Sequence, residues 1–284
     1  MRIVLLLWVF LAHSSWADVS FEGLKESGLL AAASYIDLEN RAGPIAGTHY
    51  YLRHQARLND SSISYFLANK QDVQAIAFRG TSNINEVLID LDVSLSADAE
   101  LGILLHKGFS YAARAAFLQL KPHLDKTIPI IITGHSLGGA IAQIVALHLQ
   151  RDGFVVQQVI TFGQPKVTNV AGSEMFDSLP LLRVVTVKDI VPLVPPISPL
   201  QIRDLDIYWH SGEELILLAG PNYSIISGFK SMLRATSFAK TMLDESNLDA
   251  HMMTTYLNLI EQKLPRSKQV VYKSGINVFG LSFD

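Results

Sequence analysis

The sequence predicts an α/β fold in which a mostly parallel central sheet carries helices on both faces. Two observations predict it. Strand-like and helix-like runs alternate from about residue 73 to 190, an order that implies parallel strands joined by crossover helices. Residues 129–133 read PIIIT, a continuous apolar and β-branched run of the kind buried on both faces of a parallel sheet. No internal repeat, low-complexity tract or linker breaks the chain, so residues 18–284 read as a single domain.

The elements follow in order. Residues 1–17 read as a secretory signal peptide: Arg2 gives the positive start, Ile3 to Ala12 the apolar stretch, and Ser15-Trp16-Ala17 the small-x-small cleavage site. The chain is therefore expected to be exported, and then secreted or periplasmic. Leu24 to Leu38 carries Leu29, Leu30, Ala33 and Ile36 at helical spacing, and Gly43-Pro44 lies beyond its end. Ser62 to Ala68 and Val73 to Phe78 read as strands joined by a turn. Ser110 to Leu120 is a helix, PIIIT a strand, Gly139 to Leu149 a strongly apolar helix, and Val155 to Phe162 and Leu182 to Val187 two further buried strands. Ile207 to His210 and Leu215 to Leu218 are expected to pair around Ser211-Gly212. Ser224 to Leu243 and Met252 to Leu264 are expected to be helical. The first of these carries Lys230, Arg234 and Lys240 beside an apolar stripe, which suits contact with an anionic membrane surface.

Composition narrows the chemistry. In 284 residues, 23 Lys+Arg face 26 Asp+Glu, without the basic excess of a nucleic-acid binder. There is no cysteine, which removes disulfides, Cys-ligated zinc, iron–sulfur clusters and a cysteine nucleophile.

One motif carries chemistry. Gly134-His135-Ser136-Leu137-Gly138 has the form G-x-S-x-G and lies between the PIIIT strand and the Gly139 helix. A serine on such a strand-to-helix turn is lifted out of the sheet, and glycines are needed where side chains would strike the neighbouring strand and helix. The helix N-terminus beneath it favours an oxyanion. Ser136 is thus the candidate nucleophile, and the adjacent His135, pointing away from it, is read as structural. A serine hydroxyl needs a histidine base, and the base needs an orienting acid. In this arrangement both follow the serine in the chain, acid first. Asp189 stands at the end of the Leu182 strand, where such sheets place their sites. His251 precedes the last helix, whereas His210 sits in the expected hairpin. Asp189 and His251 are the candidates.

These segments resemble the class 3 lipases, the fungal-lipase branch of the α/β-hydrolases. The resemblance rests on Ala77-Phe78-Arg79-Gly80-Thr81, His106-Lys107-Gly108-Phe109, GHSLGG at 134–139, Thr161-Phe162-Gly163-Gln164-Pro165, Asp189-Ile190-Val191-Pro192, His210-Ser211-Gly212, and His251 with Tyr256. It implies an α/β-hydrolase fold, a Ser136–Asp189–His251 triad, and an oxyanion hole from Thr81 and the Leu137 amide. It implies hydrolysis of ester bonds in acyl lipids at an interface, triacylglycerol first, with no metal or organic cofactor. Phospholipase A1 and short-chain carboxylesterase are the alternatives within that chemistry, and a catalytically silent lipid-binding protein the alternative outside it. Ser82 to Leu91 would be the lid, with Ile84, Val87, Leu88 and Leu91 on one helical face. Val87 stands where related lids often carry tryptophan, and Lys188 where relatives often have asparagine.

Overall fold

The structure is a computed structural model that describes residues 20–38, 43–45, 47–58, 63–81, 93–196, 201, 203, 206–228, 231, 245–273, 277–278 and 281–282. The expected leader and the expected lid, Ser82 to Leu91, lie outside the described residues.

The first helix, α1, spans Phe21–Ala33 and starts at Ser20, whose hydroxyl accepts from the Gly23 amide. Three antiparallel strands follow: β1 (Tyr51–Arg57), β2 (Ser64–Lys70) and β3 (Val73–Phe78). After β4 (Leu95–Asp98), β5 (Ile103–His106) and α2 (Lys107–Leu120) the chain enters β6 (Ile130–His135). Helix α3 (Leu137–Arg151) returns it to β7 (Val156–Phe162). Gly153, at φ +84°, closes α3 in the left-handed conformation that glycine tolerates best. Then come β8 (Thr168–Asn169), β9 (Leu181–Thr186), β10 (Tyr208–Trp209), β11 (Glu213–Leu217) and β12 (Asn222–Ile226). Helices α4 (Glu245–His251) and α5 (Met253–Glu261) precede a short strand, β13 (Lys268–Gln269).

Among the described residues the main sheet has nine strands in the order β1-β2-β3-β6-β7-β9-β11-β12-β13. Its centre, β3-β6-β7-β9-β11, is parallel throughout. A smaller antiparallel sheet runs β10-β8-β5-β4. The mostly parallel sheet with helices on both faces is the architecture the sequence predicts.

Each face has its own core. Ile76, Phe78, Ile130 and Ile132 pack against Phe109 and Ala113 of α2 and Ile141, Ile144 and Val145 of α3. On the opposite face Ile160, Phe162, Leu182 and Val184 meet Phe21 and Leu24 of α1 and Met253, Tyr256 and Ile260 of α5. Burying each large aliphatic side chain contributes about 1.5–3 kcal/mol.

Three features depart from the sequence reading. Strand β1 was not expected, because its half-exposed residues YLRHQAR give no apolar alternation. The hairpin expected around Ser211-Gly212 does not form. Tyr208–Trp209 pairs instead with Thr168–Asn169 in the small sheet, whereas β11 pairs with β9 and β12 in the large one. Gly212 (φ +67°) lies so close to Leu181 that a Cβ would be 2.6 Å from its carbonyl oxygen, and here the chain passes between sheets. The helix expected from Ser224 begins as strand: Ser224, Ile225 and Ile226 belong to β12, where β-branched side chains extend the sheet. Phe229 to Leu243, Ser231 excepted, lies outside the described residues. Among the described residues no helix is long and apolar enough to cross a membrane.

A buried ion pair ties β9 to β11. Arg183, itself buried, donates to Glu214 Oε2 (2.9 Å), the Ser211 carbonyl (2.8 Å) and Ser231 Oγ (3.0 Å). Removing one partner of such a pair strands a desolvated charge. Glu214→Ala is therefore expected to cost about 3–5 kcal/mol, and the double replacement Arg183→Met with Glu214→Leu much less. Urea unfolding of the three proteins checks it; equal losses would contradict it.

Candidate active site

Ser136 occupies the turn between β6 and α3 at φ 58°, ψ −130°. Among the described residues only Gln71 is another non-glycine at positive φ, so the strain is local and specific. The turn closes because its neighbours are glycines. A Cβ on Gly134 would lie 2.3 Å from the Gly138 carbonyl oxygen, and one on Gly138 would lie 2.3 Å from the Phe78 carbonyl oxygen. Both obstacles are backbone and cannot yield. The Ser136 amide bonds to the Phe162 carbonyl (2.8 Å), which pins the turn to β7. The first amides of α3, beginning with Leu137, belong to the group that a helix leaves without internal acceptors.

Asp189 lies three residues beyond β9 and is fully buried. Its Oδ1 accepts from the Val191 amide (2.9 Å). Its Oδ2 accepts from His251 Nδ1 (2.8 Å) and from the Tyr256 hydroxyl (2.5 Å). Burial acts to raise the Asp189 pKa. The facing His251 and the hydrogen bonds from His251, Tyr256 and Val191 outweigh it and hold the group below its ordinary value. The carboxylate is thus ionised, and His251 Nδ1 carries the proton that it donates. His251 Nε2 and Ser136 Oγ are both buried, and neither has a hydrogen-bond partner among the described residues.

The structure thus joins two of the predicted residues, Asp189 and His251, directly. Ser136 is linked to them through its neighbour. The rings of His135 and His251 lie 4.5 Å apart between centroids, and His135 Nε2 meets the His251 carbonyl at 2.7 Å. Gly80, which precedes Thr81, is pressed against the turn: a Cβ there would lie 2.9 Å from Ser136 Cβ. Gly80 thus brings the chain that leads into Thr81 against the turn, and Leu137 follows Ser136 directly. His210, the rejected histidine, turns its Nε2 to the Pro192 carbonyl (2.6 Å) and braces the loop after Asp189.

Several supporting residues escaped the sequence reading. Lys166 is completely buried, and its ammonium donates to the carbonyls of Leu193 (2.6 Å) and Pro195 (2.7 Å). Thr186 donates to the Ala250 carbonyl (3.0 Å), one residue before His251. Tyr35 donates to His135 Nδ1 (2.7 Å). Gly163, at φ +59°, leaves room for the acid and base: a Cβ would lie 2.7 Å from both Asp189 Oδ2 and His251 Cε1. Gly163 stood in a resemblance motif without a role, and a lysine amid apolar neighbours, in QPKV, also carried a signal in the sequence. An open groove of about 640 Å³ lies elsewhere, along β4, β5 and the start of α2, and none of Ser136, Asp189 and His251 lines it. Among the described residues no cluster of three or more His, Cys, Asp or Glu side chains could hold a metal ion.

Residues 75–198 match the family described as Lipase (class 3). The lipase of Rhizomucor miehei is 33% identical over 149 residues, 47% of this chain and 40% of that protein. Phospholipase A1-Igamma2 of Arabidopsis thaliana is 30% identical over 171 residues, 53% of this chain and 29% of that protein. The match to the class 3 lipase family covers less than half of the chain. The chain spans less than half the length of these two relatives. A crystal structure of a mutant form of MDLA from Penicillium cyclopium superposes with a TM-score of 0.66 at 20% identity, covering 82% of this chain and 96% of that one. The fold is the α/β-hydrolase fold. The matched segment holds Thr81, Ser136 and Asp189, whereas His251 lies beyond it.

Two predictions follow from the geometry. Burial and the neighbouring His251 push the His135 pKa down to about 3, against about 6.5 when unfolded. Between those values the unfolded chain binds the extra proton, so acidification destabilises the fold by up to about 1.4 kcal/mol per pH unit from this group. NMR of the labelled ring should show no titration above about pH 4.5; titration near 6.5 would contradict it. Gly163→Ala should separate Asp189 from His251, erasing the downfield proton resonance of their hydrogen bond while the protein stays folded. A retained resonance would contradict that.

Proposed function

We propose that this chain is a class 3 lipase, an exported serine hydrolase that cleaves the carboxylic esters of acyl lipids, with triacylglycerol as its main substrate. One observation carries the reading. His251 donates through Nδ1 to Asp189, its Nε2 has no hydrogen-bond partner among the described residues, and its ring lies against His135, the neighbour of Ser136 on the strained turn. That is the arrangement a serine needs to lose its proton.

The residues take these roles. Ser136 Oγ attacks the ester carbonyl as His251 Nε2 accepts its proton. Asp189 stabilises the imidazolium, and the Tyr256 hydroxyl and Val191 amide keep Asp189 ionised. The Leu137 amide and Thr81 bind the tetrahedral oxyanion. His251 then protonates the departing alcohol and activates the water that releases the fatty acid. Loss of one oxyanion donor of this kind costs about 3 kcal/mol of transition-state stabilisation. The chemistry calls for no metal or organic cofactor. The leader-like residues 1–17 support export, and a relative from Fusarium solani is named a secreted mono- and diacylglycerol lipase.

A second reading, phospholipase A1, is favoured by the similarity to the Arabidopsis enzyme. Fatty-acid release should be measured on emulsified triacylglycerol and on phospholipid vesicles, with Ser136→Ala alongside. Triacylglycerol turnover that falls by at least about 10⁴-fold in the variant is expected. Turnover of vesicles alone would replace the main reading with phospholipase A1. Failure on both, with no labelling of Ser136 by a fluorophosphonate probe, would overturn the catalytic reading.

A further inference from the structure

Helix α4 ends at His251, where helix carbonyls run out of internal partners. Two successive carbonyls there are taken up by side chains from the sheet. Thr186, the last residue of β9, donates to Ala250 O, and His135, the last residue of β6, donates to His251 O. The backbone that carries His251 is thus fastened at two adjacent points.

The second fastening has a fixed direction. A carbonyl oxygen only accepts, so His135 Nε2 must carry the ring proton. His135 is neutral, because burial opposes its charge. Its Nδ1 is therefore an acceptor, and the Tyr35 hydroxyl must donate to it. Burial pushes the Tyr35 phenol up to about 12, so the donor keeps its proton at any working pH. The chain runs one way: Tyr35 O–H to His135 Nδ1, then His135 Nε2–H to His251 O.

The phenol also touches the segment that leads to Thr81. A Cβ on Gly80 would lie 2.6 Å from the Tyr35 oxygen and 2.6 Å from the His135 carbonyl oxygen. Tyr35 therefore sits where three segments meet, those of Thr81, Ser136 and His251. It comes from the turn after α1 and lies 100 residues from its partner His135.

We propose that Tyr35 and His135 are positioning residues: together they hold His251, through its main-chain carbonyl, in line with Ser136. The proposal rests on His251 being the base. The effect of Tyr35 and His135 comes from restricting the base, since misplacement by about 1 Å costs about 10²-fold in rate.

The test uses the full chain and three variants on a soluble short-chain ester. His135→Leu removes the donor, and kcat is expected to fall about 10²-fold with KM within about twofold. His135→Gln keeps an N–H near the Nε2 position and should recover most of that loss. Tyr35→Phe deletes one oxygen and should lower kcat by about 3- to 10-fold, since the freed His135 ring can reorient. In Tyr35→Phe the acid limb of the kcat–pH profile should move as well, which a purely structural loss would not cause. Variants that lose melting temperature but keep native kcat per folded molecule and the native pH profile would overturn the proposal. Should His135→Leu fail to fold, Tyr35→Phe decides. A substrate-free readout separates this test from the catalytic reading. The downfield proton between His251 and Asp189 should shift in Tyr35→Phe even if the native chain cleaves no ester, and an unchanged resonance would sink the proposal.

Discussion

The close approach of backbone to backbone at residues 134–138 is the constraint on which the rest depends. Ser136 can hold its left-handed conformation only because Gly134 and Gly138 let α3 and the end of β3 come within contact distance of the turn. Positive φ in a non-glycine residue costs of order 1–3 kcal/mol. The apolar faces of β6 and α3, buried in one continuous core, offset it. The core therefore acts on chemistry: it holds one side chain where an unstrained turn would not present it. Gly80 lies against Ser136 because the same packing fixes β3 beside β6.

A second constraint is electrostatic. Among the described residues the printed ion-pair partner of buried Asp189 is His251, and a bare carboxylate in such a place would take up a proton. Three donors prevent this, and two of them, His251 and Tyr256, come from α4 and α5. The acid is therefore complete only when the final helices have docked. Its loop is held from outside by Lys166 and His210, which saturate the carbonyls of Pro192, Leu193 and Pro195. Lys166 is buried whole, and its side-chain nitrogen donates to two of those carbonyls.

How much of this was legible in the sequence follows from what kind of signal each part leaves. The central strands and α3 were plain, because burial on both faces demands uninterrupted apolar runs such as PIIIT and AIAQIVAL. The elbow was plain because glycine is the only residue its contacts permit. The pairing of Asp189 with His251 could be anticipated from chain order, since strand ends converge on one edge of the sheet. Strand β1 left no trace because an edge strand exposes both faces. The transfer of the chain between sheets at Gly212 depends on contact with Leu181, which no local pattern encodes. Tyr35 and Thr186 were silent for the same reason: a single hydroxyl meeting a distant acceptor has no periodicity. Tyr256 was visible only through the family resemblance, and the structure supplies its physical role as a donor to Asp189.

The hydrogen bonds that join Tyr35 to His135 and His135 to His251 span 100 and 116 residues of chain. Contacts of such range form late, because the loops they close are entropically expensive until the intervening elements are packed. A growing polypeptide can build the Ser136 turn from local strands while His251 is still unsynthesised. The order of the chain thus acts as a timer. The segments that carry Tyr35 and His251 must meet before Ser136 and His251 share one site, so a partly made or unfolded chain lacks that site.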